Sequence, residues 1–252
     1  MTLQSDGNLL ASEIDYVQPA GQTVVEGNII RLSSSGGDTL MDLILQQGLA
    51  TPTPNILPFG QRVTVTVPPN GVTYAVDSGN FMIPSGLSFA SSGDLLVGQE
   101  VSVGVQGSVT TTGGLGSSSP WAGPAATSFT TNSITLEPSQ ITGSVTGIDA
   151  SMLMFGFNPN PNYFVPPSTT ASAPPTLSPF NLTVQVTAGT TFTNFTPDSI
   201  SGLAVNDVVS IEGWAFLAPS NNNLCQPGVG CAVYPAIAAE AVVGRPGPTP
   251  LF

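Results

Sequence analysis

The sequence contains no lysine and no histidine, and its cations are Arg31, Arg62 and Arg245 alone, set against 15 acidic residues. Each absence removes a class of chemistry. Without lysine there is no Schiff-base catalysis and no phosphate-cradling Gly-x-x-x-x-Gly-Lys loop. Without histidine, serine, cysteine and metal hydrolases of the familiar types lack their usual base or ligand. A net charge of -12 with no basic cluster argues against binding to a phosphate backbone. No window approaches ~18 consecutive apolar residues, so no membrane-spanning helix is expected. Charged residues of both signs make up 7% of the chain, so surface polarity must come from Ser, Thr, Asn and Gln. The acidic residues are scattered, which suits solubility better than recognition of a basic partner. No cofactor and no metal is expected.

Cysteine is scarce too. Cys225 and Cys231 stand in Asn-Asn-Asn-Leu-Cys-Gln-Pro-Gly-Val-Gly-Cys, without the second pair that a zinc site needs. Pro and Gly turn the chain back between them, so a loop-closing disulfide is expected, and with it an oxidising compartment. The alternative is a pair of free thiols in a cytosolic protein. Met1 is followed by Thr2-Leu3-Gln4-Ser5-Asp6-Gly7, with neither the basic segment nor the apolar stretch of a signal peptide. The sequence therefore reads as a mature or truncated part of a longer precursor.

What the chain does have is an internal repeat. Leu95-Leu96-Val97-Gly98-Gln99-Glu100-Val101-Ser102-Val103 and Leu203-Ala204-Val205-Asn206-Asp207-Val208-Val209-Ser210-Ile211 each combine an apolar pair, a polar turn and an alternating strand, and Val205 follows Val97 by 108 residues. Upstream, Val63-Thr64-Val65-Thr66-Val67 matches Leu182-Thr183-Val184-Gln185-Val186, and Val72-Thr73-Tyr74 matches Thr190-Thr191-Phe192. Further upstream, Val25-Glu26-Gly27-Asn28-Ile29 matches Ile141-Thr142-Gly143-Ser144-Val145. Closing strands are expected at 129–136 and 236–243. Ile237-Ala238-Ala239-Glu240-Ala241 has a further relative in Leu10-Ala11-Ser12-Glu13-Ile14, so the chain opens with a surplus closing strand at 9–17.

Between these elements, 23–32 reads as a strand and Ser33-Ser34-Ser35-Gly36-Gly37-Asp38 as a turn cluster. The spacing of Leu40, Met41, Leu43, Ile44 and Leu45 fits a short helix or a buried strand, and we read it as strand. Residues 77–92 carry too many Gly, Pro and Ser for a long element. Residues 107–119 have linker composition, with Trp121 as the aromatic that would tack the loop down. Asn158-Pro159-Asn160-Pro161 opens an insertion that reaches Pro179 and favours extended, polyproline-like backbone.

The order of a Gly-containing first strand, a Leu-Thr-Val-x-Val third strand, the element Asn206-Asp207-Val208-Val209-Ser210-Ile211-Glu212-Gly213 and the closing Ile-Ala-Ala-Glu-Ala-Val resembles an uncharacterised small barrel domain. That domain has an OB-like plan and occurs in tandem in exported proteins of acidobacterial-type soil bacteria. The likeness is best over 141–245. The first repeat departs from it, with Gln99-Glu100 at the Asp step and Gly104-Val105 where the second repeat has Glu212-Gly213. The resemblance implies fold and export, and it brings no catalytic residues.

The expected fold is all-β: an N-terminal strand and linker over 1–21, two OB-like barrels or small sandwiches over 22–138 and 139–246, and a tail at 247–252. Long Gly/Ser/Pro-rich loops interrupt the barrels. A glycosidase needs only two carboxylates, and Glu26, Glu100, Glu212 and Glu240 are candidates. Each is more simply an outward-facing position in an alternating strand. Asp77-Ser78-Gly79-Asn80 lacks the spaced acids of a calcium loop and reads as a plain turn. If exposed, Trp121, Tyr163, Phe164 and Trp214 would form a sugar-stacking surface; otherwise they pack the long loops onto the barrels or a neighbouring subunit.

The surplus strand, through Leu10, Ile14 and Tyr16, is expected to add to a sheet edge in another copy of the chain, or else to fold back on the first repeat. The function so indicated is a non-catalytic structural subunit of an extracellular or cell-surface assembly, a self-associating filament among the forms it could take. The alternative is a secreted glycan- or ligand-binding protein of tandem barrels.

Overall fold

The computed structural model describes residues 23–46, 60–112, 126–160, 182–217 and 235–245. It also describes the short strand segments Thr2–Leu3, Leu9–Leu10, Leu49–Ala50, Ile56–Leu57, Cys225–Gln226 and Gly230–Cys231. The longer strands of the first half are β1 (Thr23–Ser35), β2 (Asp38–Leu45), β3 (Arg62–Val67), β4 (Thr73–Val76), β5 (Glu100–Thr112) and β6 (Ala126–Glu137). Those of the second half are β7 (Ser139–Asp149), β8 (Met154–Pro159), β9 (Leu182–Gln185), β10 (Thr191–Thr193), β11 (Val208–Phe216) and β12 (Ala236–Gly244). Single 3-10 turns lie at Ser92–Asp94 and Ile200–Gly202, and no α-helix occurs among the described residues.

Both halves have one topology. In the first, the order is β3-β2-β1-β5-β6-β4, and β3 also runs parallel to β6, which closes the sheet. In the second, the order is β9-β8-β7-β11-β12-β10, closed by the parallel pair of β9 and β12. The first, second, third, fifth and fourth main strands thus follow one another around a closed five-stranded barrel, the plan of the OB fold. The repeat seen in the sequence is a repeat of this barrel, and the chain is a tandem of two.

Strict alternation builds the walls. Val63, Val65 and Val67 of β3 are fully buried while Thr64 and Thr66 face outward, the period of 2 that a strand imposes. In β2 the same period sends Met41, Leu43 and Leu45 inward and Leu40, Asp42 and Ile44 outward. The ambiguity there is settled by the two-residue turn Gly36-Gly37, which holds β2 in antiparallel register with β1, Ser35 opposite Asp38. The first strand of each barrel carries a glycine because its neighbour passes close by. A Cβ on Gly27 would overlap the Ile44 carbonyl oxygen, and one on Gly143 would overlap that of Asn158.

Several boundaries differ from the sequence reading. Ser33 to Ser35 continue β1 rather than opening a turn. Residues 107–112, read as linker, form the end of β5 and pair with β6 as far as Thr112 opposite Ala126. Here the β-branched run Val109-Thr110-Thr111-Thr112 outweighs the Gly and Ser around it. Asn158 and Pro159 end β8 instead of opening the insertion. At the amino end, Thr2–Leu3 pairs antiparallel with Leu9–Leu10, with Thr2 opposite Leu10 and Leu3 opposite Leu9.

Candidate functional site

The repeated element folds the same way twice. In barrel one, the Gln99 amide donates to the Leu96 carbonyl at 3.2 Å, and in barrel two the Asp207 amide donates to the Ala204 carbonyl at 3.1 Å. The third residue of each turn has positive φ, 102° at Gly98 and 76° at Asn206, which suits Gly and is tolerated by Asn. Each turn is laced to the first strand of its barrel. Gly98 donates to Ile29 O at 2.8 Å and Ile29 donates to Gln99 O at 2.9 Å; Asn206 donates to Val145 O at 2.8 Å and Val145 donates to Asp207 O at 2.9 Å. A side-chain oxygen completes both turns, Gln99 Oε1 accepting from the Leu96 amide at 2.7 Å and Asp207 Oδ2 from the Ala204 amide at 2.7 Å.

Around the first of these turns the two barrels meet. Pro138 alone separates β6 from β7, so the barrels have little freedom to part. Trp214, Phe216 and Ala238, on the outer face of barrel two, are buried in the apolar cluster of barrel one. Leu96 crosses the other way into the core of barrel two. The Trp214 ring stacks on Phe81 with centroids 5.2 Å apart, and its Nε1 donates to the Asp77 carbonyl at 3.0 Å. Gln99, fully buried, donates from Nε2 to the Ala215 carbonyl at 2.8 Å and to the Asp94 carbonyl at 3.2 Å.

A second concentration of polar groups lies on the outer face of β1, β2 and β3. Asp42 is 2% exposed. Its Oδ2 accepts from Arg31 Nε at 2.6 Å and Arg62 NH2 at 2.7 Å, and its Oδ1 accepts from Thr64 Oγ1 at 2.6 Å. Burial pushes this carboxyl up, but the hydrogen bonds from Thr64 and Arg62 and the two guanidinium charges outweigh it and hold it below the usual aspartate value. Arg31 and Arg62 are 61% and 52% exposed. Two of the chain's three cations therefore share one buried carboxylate.

Across β1, β5 and β6 the charged groups are acidic. Glu100 stands opposite Glu137, and Glu26 stands opposite Ser102 on the adjoining strand. Burial raises the Glu100 carboxyl, and the charges of Glu26 and Glu137 raise it further, against a hydrogen bond with Gln46. Burial raises Glu137 too, opposed by a hydrogen bond with Ser102 and reinforced by Asp77 and Glu26. Among the described residues no group of three or more His, Cys, Asp or Glu is placed to hold a metal ion.

The structure separates the residues singled out from the sequence. Trp214 is 2% exposed and stacked on Phe81, so it offers no face to a sugar; it is an anchor of the barrel joint. Trp121, Tyr163, Phe164, Ile14 and Tyr16 lie outside the described residues. Of Leu10 the backbone pairing with Thr2 is described. Cys225 and Cys231 stand opposite each other in an antiparallel backbone pair, with Gln226 opposite Gly230. Glu212 is exposed, Glu26 and Glu240 are half-buried, and Glu100 lies beside Glu26 rather than in a cleft with Glu212. The Asp77-Ser78-Gly79-Asn80 stretch is a turn, with the Phe81 amide donating to the Ser78 carbonyl. Sequence reasoning passed over Asp42; its signal was a lone charge within the apolar run Leu40-Met41-Asp42-Leu43-Ile44.

A family model described as a domain of unknown function (DUF5666) matches residues 173–215. The match takes in β9, β10 and the second copy of the repeated turn, and ends within β11, so this part of barrel two is similar to that family. No curated protein matches the chain. Among solved structures, a deletion mutant of the single-stranded DNA binding protein from Thermus aquaticus aligns at 11% identity with a TM-score of 0.28, over 91% of this chain and 96% of that one. At that score, the OB plan of this chain rests on its own strand order and register. No helix among the described residues is long and apolar enough to cross a membrane.

Proposed function

We propose that the chain is a non-catalytic structural subunit of an extracellular or cell-surface assembly, in which paired barrels act as a stiff building block and copies of the chain associate with one another. The observation that carries this reading is the joint between the barrels. A one-residue connection, an apolar contact shared by both cores and two hydrogen bonds across the joint make a spacer, and buried aromatics fill the seam where a ligand would otherwise sit. The absence of histidine, the commonest general base, and of lysine agrees with it. The expected disulfide and the scarcity of charge favour an oxidising, extracellular setting.

In this reading the segment at 9–17 supplies the contact between copies. Leu10, Ile14 and Tyr16 fill alternate pockets along a neighbour's sheet edge, and the short pairing of Leu9–Leu10 with Thr2–Leu3 gives way to the longer ladder. A contact of this kind is head-to-tail and propagates. Deletion of residues 1–17 tests it, with electron microscopy and light scattering of the exported material as readouts. Folded monomers are the expected result. Polymerisation that proceeds unchanged without the segment would sink strand donation, and full-length protein that is monomeric at high concentration would sink self-assembly as a whole.

A further inference from the structure

We infer that the barrel joint is made by two departures of the first repeat from the second, Gln99 in place of Asp207 and Leu96 in place of Ala204, and that it fits one partner only, the chain's own second barrel. The turn itself requires one acceptor, which must hold the amide three residues back. Asp207 meets that need with Oδ2 and Gln99 meets it with Oε1, both at 2.7 Å. An ionised aspartate then has nothing left to donate, whereas glutamine is one carbon longer and carries an NH2 group. That extra donor spans the joint to the Ala215 carbonyl at 2.8 Å. Because Gln99 is fully buried, losing this acceptor would leave a buried N–H unmet.

Leu96 makes the same argument in apolar terms. Neighbouring side chains on extended backbone point to opposite sides, so Leu95 fills barrel one while Leu96 fills barrel two. In the second repeat Leu203 fills its own barrel, but the next residue is Ala204, which is exposed beside a half-exposed Val205. Barrel two's turn therefore presents neither the apolar knob nor the amide donor. The receiving patch is equally one-sided. Trp214 belongs to it, whereas the residue 108 positions earlier, Gln106, is polar and exposed on barrel one.

A head-to-tail contact propagates only while a complementary half stays free at each end of the unit. Here the one knob, on barrel one, and the one patch, on barrel two, are buried against each other within the same chain, so the contact ends at two barrels. Association between copies of the chain must use other faces. This inference stands on the joint alone and does not depend on the proposed function.

The test installs in the first repeat what the second repeat already carries, Gln99→Asp and Leu96→Ala as separate variants of the full chain. Calorimetry and small-angle scattering follow the joint, and hydrogen exchange at the Leu96 amide follows the turn. The native chain is expected to unfold in one transition. Gln99→Asp is expected to split that transition or lower its midpoint by roughly 3 °C or more, and to broaden the interbarrel distances, while the Leu96 amide stays protected by the aspartate acceptor. Leu96→Ala should uncouple the barrels in the same way, and it decides the matter if Gln99→Asp does not fold. An unchanged midpoint and scattering curve in the variants would overturn the inference. So would loss of protection at the Leu96 amide in Gln99→Asp, which would assign Gln99 to the turn alone, and so would two independent transitions in the native chain.

Discussion

At the scale of single residues, Asp42 and the Glu100/Glu137 pair are opposite solutions to burying a carboxylate on a strand. Asp42 is held below its ordinary value, so its contribution to stability is present above the usual aspartate range and is lost as pH falls through the depressed value. Asp42→Asn keeps the shape but leaves two guanidiniums facing each other without their counter-charge. It is expected to cost about 1–3 kcal/mol at neutral pH and to flatten the acid limb of the stability curve, both measurable by urea unfolding across pH. Glu100 and Glu137 are raised, first by burial and then by neighbouring acids. Their contribution is fully present below the usual glutamate range and is lost as pH rises through the raised values. Glu100→Gln or Glu137→Gln should therefore raise the thermal midpoint at pH 7, with the gain vanishing at low pH. Equal gains at both pH values would show that charge is not the cause.

At the scale of elements, the turn after the 3-10 segment is where the repeats are most alike in backbone and least alike in consequence. Strand lengths and turns follow from local chemistry: alternating Val and Thr, Gly36-Gly37 between β1 and β2, a positive φ at Gly98 and Asn206. The cysteine pair belongs to this scale as well. Cys225 and Cys231 stand opposite each other in the backbone register of a short antiparallel ladder. We expect them to be bonded in exported protein, closing a loop that adds roughly 2 kcal/mol through the unfolded state. Intact-mass measurement after alkylation without reductant should show no modified thiol; two modified thiols would defeat the expectation.

At the scale of the whole molecule, charge decides what the barrels can meet. OB barrels as a class bind oligonucleotides as well as oligosaccharides, but each phosphate contact relies on cations that displace counterions. This chain has three cations, a net charge of -12, and two of its arginines already committed to Asp42. Fluorescence anisotropy with a labelled single-stranded oligonucleotide at about 0.15 M salt is therefore expected to show no binding at micromolar protein. Saturable binding that weakens with salt would contradict it.

The sequence by itself determined most of the strands and the tandem repeat, and it removed the chemistries that need lysine or histidine, because alternation, turn residues and missing side chains act locally or by their absence. It also held the departure of Gln99 from Asp207 in plain view. What that departure does was decided by tertiary structure, since the Ala215 carbonyl it reaches is 116 residues away and is brought near only when both barrels have closed. The same holds for Trp214, which reads as a candidate stacking surface until Phe81 and the Asp77 carbonyl are seen to bury it. It holds too for Asp42, whose partners come from β1 and β3 only once β2 lies between them. Local pattern tells a residue which side of its strand to face, and only closure of the barrels tells it what stands there.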